Sequence, residues 1–215
     1  MRGEQQEIRP IRTEELEDAY RLLIASSFPP EERKPLRMIR QALARDAYRC
    51  YGAYLGGSLA ACVFFAVLRE ARGSYWLLDY LSVREDLRGQ GIGSALLERL
   101  LSGGFGTDGT ILLEVDDPDA AEGAERLLRQ RRRSFYLRNG LLETGVRAHV
   151  YGVDYRILRA PGAGTPDDEE TASGYAALYR SFLPAGLFAR HVSVRTSSAR
   201  AGSASADGAE RRLPT

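Results

Sequence analysis

One stretch, Leu81 to Leu97 (LSVREDLRGQGIGSALL), constrains this chain more than any other. It opens as the end of an apolar strand and passes through a charged loop into glycines at 89, 91 and 93. It leaves as a helix with apolar residues at 92, 95, 96 and 100. Glycine strips side chains from the inner side of a tight turn, so backbone N–H groups can close on a ligand. The helix that follows adds its unpaired N–H groups and the positive end of its dipole. This combination is an anion cradle suited to a pyrophosphate, and Arg88 at its mouth carries a guanidinium fitted to bidentate phosphate contact. A strand-to-helix turn alone needs one glycine, not three.

Two other glycine loops fail on spacing. A Walker loop requires Lys-Ser/Thr after its last glycine, and here Ser94-Ala95 follows. A dinucleotide fingerprint can be forced onto Gly89, Gly91 and Ser94, with Glu114 as its acid. That fingerprint runs its strand straight into the first glycine, whereas five residues separate Val83 from Gly89.

The run V-x-x-x-x-R-G-x-G-I-G followed by L-L resembles the GNAT superfamily of acyl-CoA-dependent N-acyltransferases, whose R/Q-x-x-G-x-G/A signature is matched by Arg88, Gly91 and Gly93. A second signature, F-Y-x-x-x-G-F, is similar to Phe135-Tyr136 through Gly140, with Leu141 in place of the last phenylalanine. The resemblance covers about residues 7–160 and extends to the 172–192 helix. It implies an α/β (α+β) fold with a mixed, mostly antiparallel sheet of about seven strands flanked by helices, in the order βααβββαβαββ. It further implies acetyl-CoA as co-substrate, no metal, and direct transfer to a primary amine in a ternary complex. Backbone groups of Leu81, Ser82 and Val83 would pair with the pantetheine, and Arg88, Gly89, Gln90, Gly91, Ile92, Gly93 and Ser94 would take the pyrophosphate.

By the same resemblance, the Tyr136 hydroxyl protonates the departing thiolate. A phenol with a pKa of about 10 stays protonated at neutral pH and can donate. An alkylamine acceptor is about three units from its pKa at neutrality, so freeing its lone pair costs roughly 4 kcal/mol without a base. Glu114 resembles the base position of several branches of the family. Asp79 lies on the strand before the cradle, where relatives often carry an acid facing the acceptor. Glu114 and Tyr136 are 22 residues apart, further than in compact branches. A catalytically silent acyl-CoA sensor or scaffold is the competing class, against which Tyr136 and two candidate bases speak.

Periodicity places a first strand at 7–12, a helix N-capped by Thr13 and ending near Ser27, and a second helix carrying Leu36, Ile39 and Leu43. Strands are expected at 48–55, 58–69 and 75–84, a helix at 91–102, a buried strand at 110–116, and a long helix from Asp117-Pro118 to Arg138. Closing strands are expected at 141–150 and 152–159. Residues 1–160 would form the acetyltransferase domain. Residues 161–195 would be an extension whose amphipathic helix (Tyr175, Leu178, Tyr179, Phe182) packs back on it, and 196–215 a disordered tail.

A net charge of +1 supplies no field to attract nucleic acid or an anionic membrane, and the arginines at 129 and 131–133 read as a salt-laced helix face. Lys34 is the only lysine, which reads as a bias of base composition toward arginine. Cys50 and Cys62 lie in apolar runs as buried free thiols, and no metal-ligand spacing occurs. With no signal peptide and no membrane-spanning run, the expected location is cytoplasmic, as a monomer or homodimer. The loop Phe28–Pro35 and the aromatics Tyr54, Phe64, Tyr75 and Trp76 are candidates for the acceptor side. Polyamine, amino acid, antibiotic and peptide amines all stay open, acidic residues favouring a cationic acceptor.

Overall fold

The computed structural model describes residues 7–71, 73–162 and 167–197. Eight strands form one sheet in the order β1 (Glu7–Pro10), β2 (Tyr48–Leu55), β3 (Ser58–Glu70), β4 (Gly73–Val83), β5 (Thr110–Asp116), β7 (Val153–Arg159), β6 (Leu142–Val150) and β8 (Val192–Thr196). All neighbours are antiparallel except β4 and β5. β3 has eight consecutive buried residues, the pattern of a strand covered on both faces.

One face is covered by α1 (Leu16–Ala19), a π-helical segment Tyr20–Ile24, α2 (Ala25–Ser27), α3 (Leu36–Ala44) and α6 (Asp168–Phe182), through Leu16, Leu23, Ile24, Ile39, Tyr175 and Leu178. The other is covered by α4 (Ile92–Leu101) and α5 (Gly123–Arg138), through Ile92, Leu96, Leu97, Leu100 and Tyr136. Burying these two apolar layers is the main driving force for the fold. Cys50 and Cys62 are buried free thiols within the first layer.

Several boundaries differ from the sequence expectation for local reasons. Thr13 caps nothing: residues 13–15 form a turn, and the Glu15 carboxylate instead takes the Arg12 N–H at 3.0 Å and the Arg9 and Arg12 guanidiniums at 2.7 and 2.8 Å. Those cations hold the Glu15 pKa well below the usual carboxylate range. The helix expected from Asp117 is two pieces. Asp117 caps a 3-10 turn, Pro118–Ala120, by accepting the Asp119 N–H at 3.1 Å, and α5 starts only at Gly123, where φ is +56°. The α5 arginines are only in part a solvated face: Arg126 and Arg131 are exposed, Arg126 pairing with Asp119 at 3.0 Å and Arg129 with Glu125 at 2.9 Å, whereas Arg132 and Arg133 are partly buried and reach back to Asp116 on β5 and Glu143 on β6.

The sheet has eight strands rather than about seven because residues 192–196 pair with β6, from Val150↔Val192 to Val146↔Thr196. A short helix α7 (Ala185–His191) precedes that strand. Thr196 therefore belongs to the sheet and not to a tail, and the disorder expected for the remainder lies, from 198 onward, outside the described residues.

α6 crosses the sheet with Gly174 against the Tyr75 ring, where an added Cβ would stand 2.0 Å from a ring carbon. Gly174→Val should therefore lower stability by about 2 kcal/mol or more through overpacking. Urea denaturation measures this, and an unchanged midpoint would show that the helix does not bear on Tyr75.

Candidate active site

The parallel ladder of β4 and β5 runs from Tyr75↔Thr110 to Leu78↔Leu113 and then stops. The next residue on each strand is Asp79 on β4 and Glu114 on β5. A register shift helps to open the fork. Opposite β3, Phe65 pairs with Leu78 but Phe64 with Tyr80, so Asp79 is the extra residue of a β-bulge, which bends a strand and re-aims its side chain.

A cavity of about 620 Å³ passes through the fork. Leu81, Val83 and Tyr136 line it from the face covered by α4 and α5, and Phe28, Tyr155, Tyr179 and Phe182 from the opposite face. Asp79, Glu114, Lys34, Ser82 and Arg88 also line it.

The glycines of the cradle divide the work. Gly89 and Gly91 have φ of +78° and +82°, left-handed values that disfavour side chains, and apart from its immediate chain neighbours nothing lies within 4 Å of a Cβ added at either. There is room beside this backbone for a ligand. Gly91 caps α4, leaving the N–H groups of Ile92, Gly93 and Ser94 in the unpaired first turn. Gly93 is helical, and its role is close packing: a Cβ would meet Phe135 at 3.2 Å. Ile92 is buried in the core and Gln90 is exposed. Arg88 folds back from the loop, its Nε donating to the Val83 carbonyl at 3.2 Å and its Nη2 to Ser27 Oγ at 3.1 Å. The Ser82 hydroxyl faces the core, donating to the Leu23 carbonyl at 2.9 Å. Ser82 can therefore meet a cavity ligand only through its backbone.

Tyr136 lies in the last turns of α5 at 8% exposure, against the cavity. Burial pushes its pKa up to about 12, Asp116 adds to the rise, and the Arg132 guanidinium opposes it. Arg132 is itself held by Asp116 at 2.7 Å. The phenol is thus protonated throughout the neutral range, with a cation nearby to stabilise any transient phenolate.

Glu114 is half-buried, and its Oε1 accepts the hydroxyls of Tyr175 and Tyr179, both at 2.6 Å and both from α6. Desolvation raises its pKa above the ordinary carboxylate value, while Lys34 and the two hydroxyls pull the other way. Asp79 is 5% exposed in its side chain. Its Oδ1 accepts Lys34 Nζ at 2.6 Å, and its Oδ2 accepts the Tyr48 hydroxyl. Among the described residues, no group of three or more His, Cys, Asp or Glu side chains is placed to hold a metal ion.

The Phe28–Pro35 loop lines the cavity as the sequence suggested, but Tyr54, Phe64, Tyr75 and Trp76 do not. Phe64 and Trp76 are core, Tyr54 lies under the Arg9 guanidinium, and Tyr75 supports α6. Sequence reading did not single out Lys34 within that loop, Arg132 beside Tyr136, or the tyrosine hydroxyls of α6. Tyr175 and Tyr179 look like an apolar helix stripe, and only the fold shows that their hydroxyls converge on one carboxylate.

Comparison with known proteins agrees with this architecture. The acetyltransferase (GNAT) family model matches residues 16–132, more than half of the chain, and the chain belongs to that family of acetyltransferases. A GNAT-family protein from Bacteroides thetaiotaomicron has a similar structure (TM-score 0.61, 22% identity, 82% of this chain and 98% of that one). So does another from Desulfovibrio desulfuricans (TM-score 0.56, 22% identity, 72% and 98%). Arabidopsis thaliana Naa50, in complex with the bisubstrate analogue CoA-Ac-MVNAL, aligns with a TM-score of 0.53 at 19% identity, over 73% of this chain and 99% of that one. At these identities the structural likeness concerns the fold. No curated protein sequence matches the chain.

The raised Glu114 pKa has a consequence for stability. The folded chain holds that proton more tightly than the unfolded chain, so the associated stability is present below the unfolded value and lost as pH rises through the folded one. Glu114→Gln keeps an acceptor for both tyrosines without the charge. Its melting temperature should match the wild type near about pH 4 and exceed it near about pH 8. A difference that does not change with pH would show that Glu114 ionises freely.

Proposed function

We propose that the protein transfers an acetyl group from acetyl-CoA to a primary amine directly, in a ternary complex. The observation that carries this reading is the single cavity through the β4/β5 fork, which touches the cradle strand and Tyr136 on one face and two carboxylates at the crotch. In this reading acetyl-CoA supplies the activated thioester. The β4 segment 81–83, left without a β5 partner, offers backbone groups to the pantetheine, and the first turn of α4 with Gly89 and Gly91 receives the pyrophosphate. Arg88 would swing from Val83 and Ser27 to the phosphates.

Glu114 then takes the proton that the acceptor ammonium must lose. A carboxylate raised by burial is better matched to this task than an ordinary one. Tyr136 gives its proton to the thiolate, and Arg132 keeps the resulting phenolate from being prohibitively basic. Asp79 sets the charge of the acceptor end. The peptide portion of the analogue bound to Naa50 makes a peptide α-amine one acceptor class to include, beside small amines.

Tyr136→Phe keeps the ring and removes the donor, so kcat should fall roughly 10²–10⁴-fold while coenzyme affinity holds. Thiol release from acetyl-CoA with pooled amines, alongside calorimetry, measures both. Full activity in this variant would sink the acid role and leave the cradle standing. Gly91→Val forces a branched residue to a φ of +82° and should abolish coenzyme binding. A ligand lacking the pyrophosphate should bind the wild type far more weakly than acetyl-CoA, and equal affinity would refute the cradle.

A further inference from the structure

Of the 30 Lys and Arg residues, one is lysine, and its amine projects into the cavity just described. Lys34 Nζ lies 2.6 Å from Asp79 Oδ1, 5.6 Å from the Phe182 ring centroid and 5.9 Å from that of Tyr80. The backbone that delivers it is pinned on both sides. The Lys34 N–H donates to Tyr80 Oη at 2.7 Å, its carbonyl accepts the Tyr20 hydroxyl at 3.0 Å, and Pro35 caps α3 directly after it. A primary ammonium on an aliphatic stem, held by a carboxylate and two aromatic rings in an acetyltransferase cavity, is the chain's own copy of an acceptor.

From this we propose that Lys34 is a self-acetylation site: the protein acetylates its own Lys34 Nζ from acetyl-CoA. The inference rests on the coenzyme binding along β4 as set out above. Asp79 precedes Leu81 by two residues, which along a strand is about 7 Å, so the amine is within a side chain's swing of the pantetheine path.

A purely structural ion pair does not explain the residue type. Every other cation paired with a carboxylate among the described ion pairs is arginine or histidine, and an arginine at 34 could hold Asp79 as well. What arginine cannot do is deprotonate and act as a nucleophile, whereas lysine can.

The step balances. Lys34 Nζ gives one proton to Asp79 Oδ1, whose other oxygen is held by Tyr48, and that proton leaves to solvent. The freed lone pair forms the N–C bond at the thioester carbonyl, and the C–S bond breaks. The departing thiolate takes the Tyr136 proton, which the second proton lost by the nitrogen replaces. Acetyl-lysine, CoA thiol and one proton are the products. The acetamide carries no charge, so Asp79 is released to face a cationic acceptor.

Full-length protein incubated with acetyl-CoA alone should gain one acetyl group, mapped by peptide mass spectrometry to Lys34, and release one thiol per chain before stopping. The rate constant should not depend on protein concentration. It should fall about 10²-fold in Tyr136→Phe, and the adduct should be absent in Lys34→Arg. Parallel calorimetry and an amine-pool assay separate the two readings. Coenzyme binding and turnover of added amines with Lys34 unmodified would overturn self-acetylation and leave the proposed function intact. Absence of coenzyme binding would overturn both. Equal modification rates in wild type and Tyr136→Phe, a rate proportional to protein concentration, or an adduct on the Met1 amine in place of Lys34 would each overturn the proposal.

Discussion

The site depends on the parallel pairing of β4 with β5 ending at Leu78 and Leu113 while both strands continue. A sheet interior is normally sealed by its ladder hydrogen bonds, and backbone left unpaired there needs partners. Here the bulge at Asp79 bends β4 away, and the gap becomes a passage between two faces that the helices otherwise cover. Two things follow from one backbone event. In the proposed reaction the 81–83 edge would pair with the extended coenzyme, and the first residues past the fork, Asp79 and Glu114, would face the acceptor.

Placing two carboxylates in a largely buried fork is costly unless each is hydrogen-bonded, since an unpaired buried charge costs several kcal/mol. The chain meets this differently on the two strands. Asp79 is given a full cation, Lys34, and the Tyr48 hydroxyl. Glu114 is given two neutral hydroxyls from α6. At Glu114 burial outweighs the nearby Lys34 charge and the two hydroxyls together, and its pKa rises. The helix beyond residue 160 thus tunes a residue of the central sheet.

Much of this was legible in the sequence because it is local. The strand–loop–helix around Gly89 and Gly91 is encoded by contiguous residues, and the closing hairpin reads directly from alternation. The family-bearing positions Arg88, Gly91 and Tyr136 needed only short motifs. What escaped is long-range. Lys34 meets Asp79 across 45 positions and Tyr179 meets Glu114 across 65. No periodicity signals either contact, and a tyrosine on an apolar stripe does not announce where its hydroxyl points. β8 was missed because five residues, VSVRT, are too short to register without the β6 edge that they complete. Thr13 misled because a good cap residue lost to Glu15, which three polar partners recruit instead.

The tyrosine at the end of α5 shows why geometry and ionisation have to be considered together. A phenol pushed up to about 12 is a secure proton store but a reluctant donor, since a thiol of pKa about 8.5 is the stronger acid by several units. Protonating the thiolate from such a phenol is uphill unless the phenolate is stabilised where it forms. Arg132 supplies that charge from one turn earlier on the same helix, and Asp116, at the end of β5, fixes the guanidinium. In the proposed reaction the acid would therefore depend on three residues, Tyr136, Arg132 and Asp116, from two elements brought together where α5 packs beside the fork.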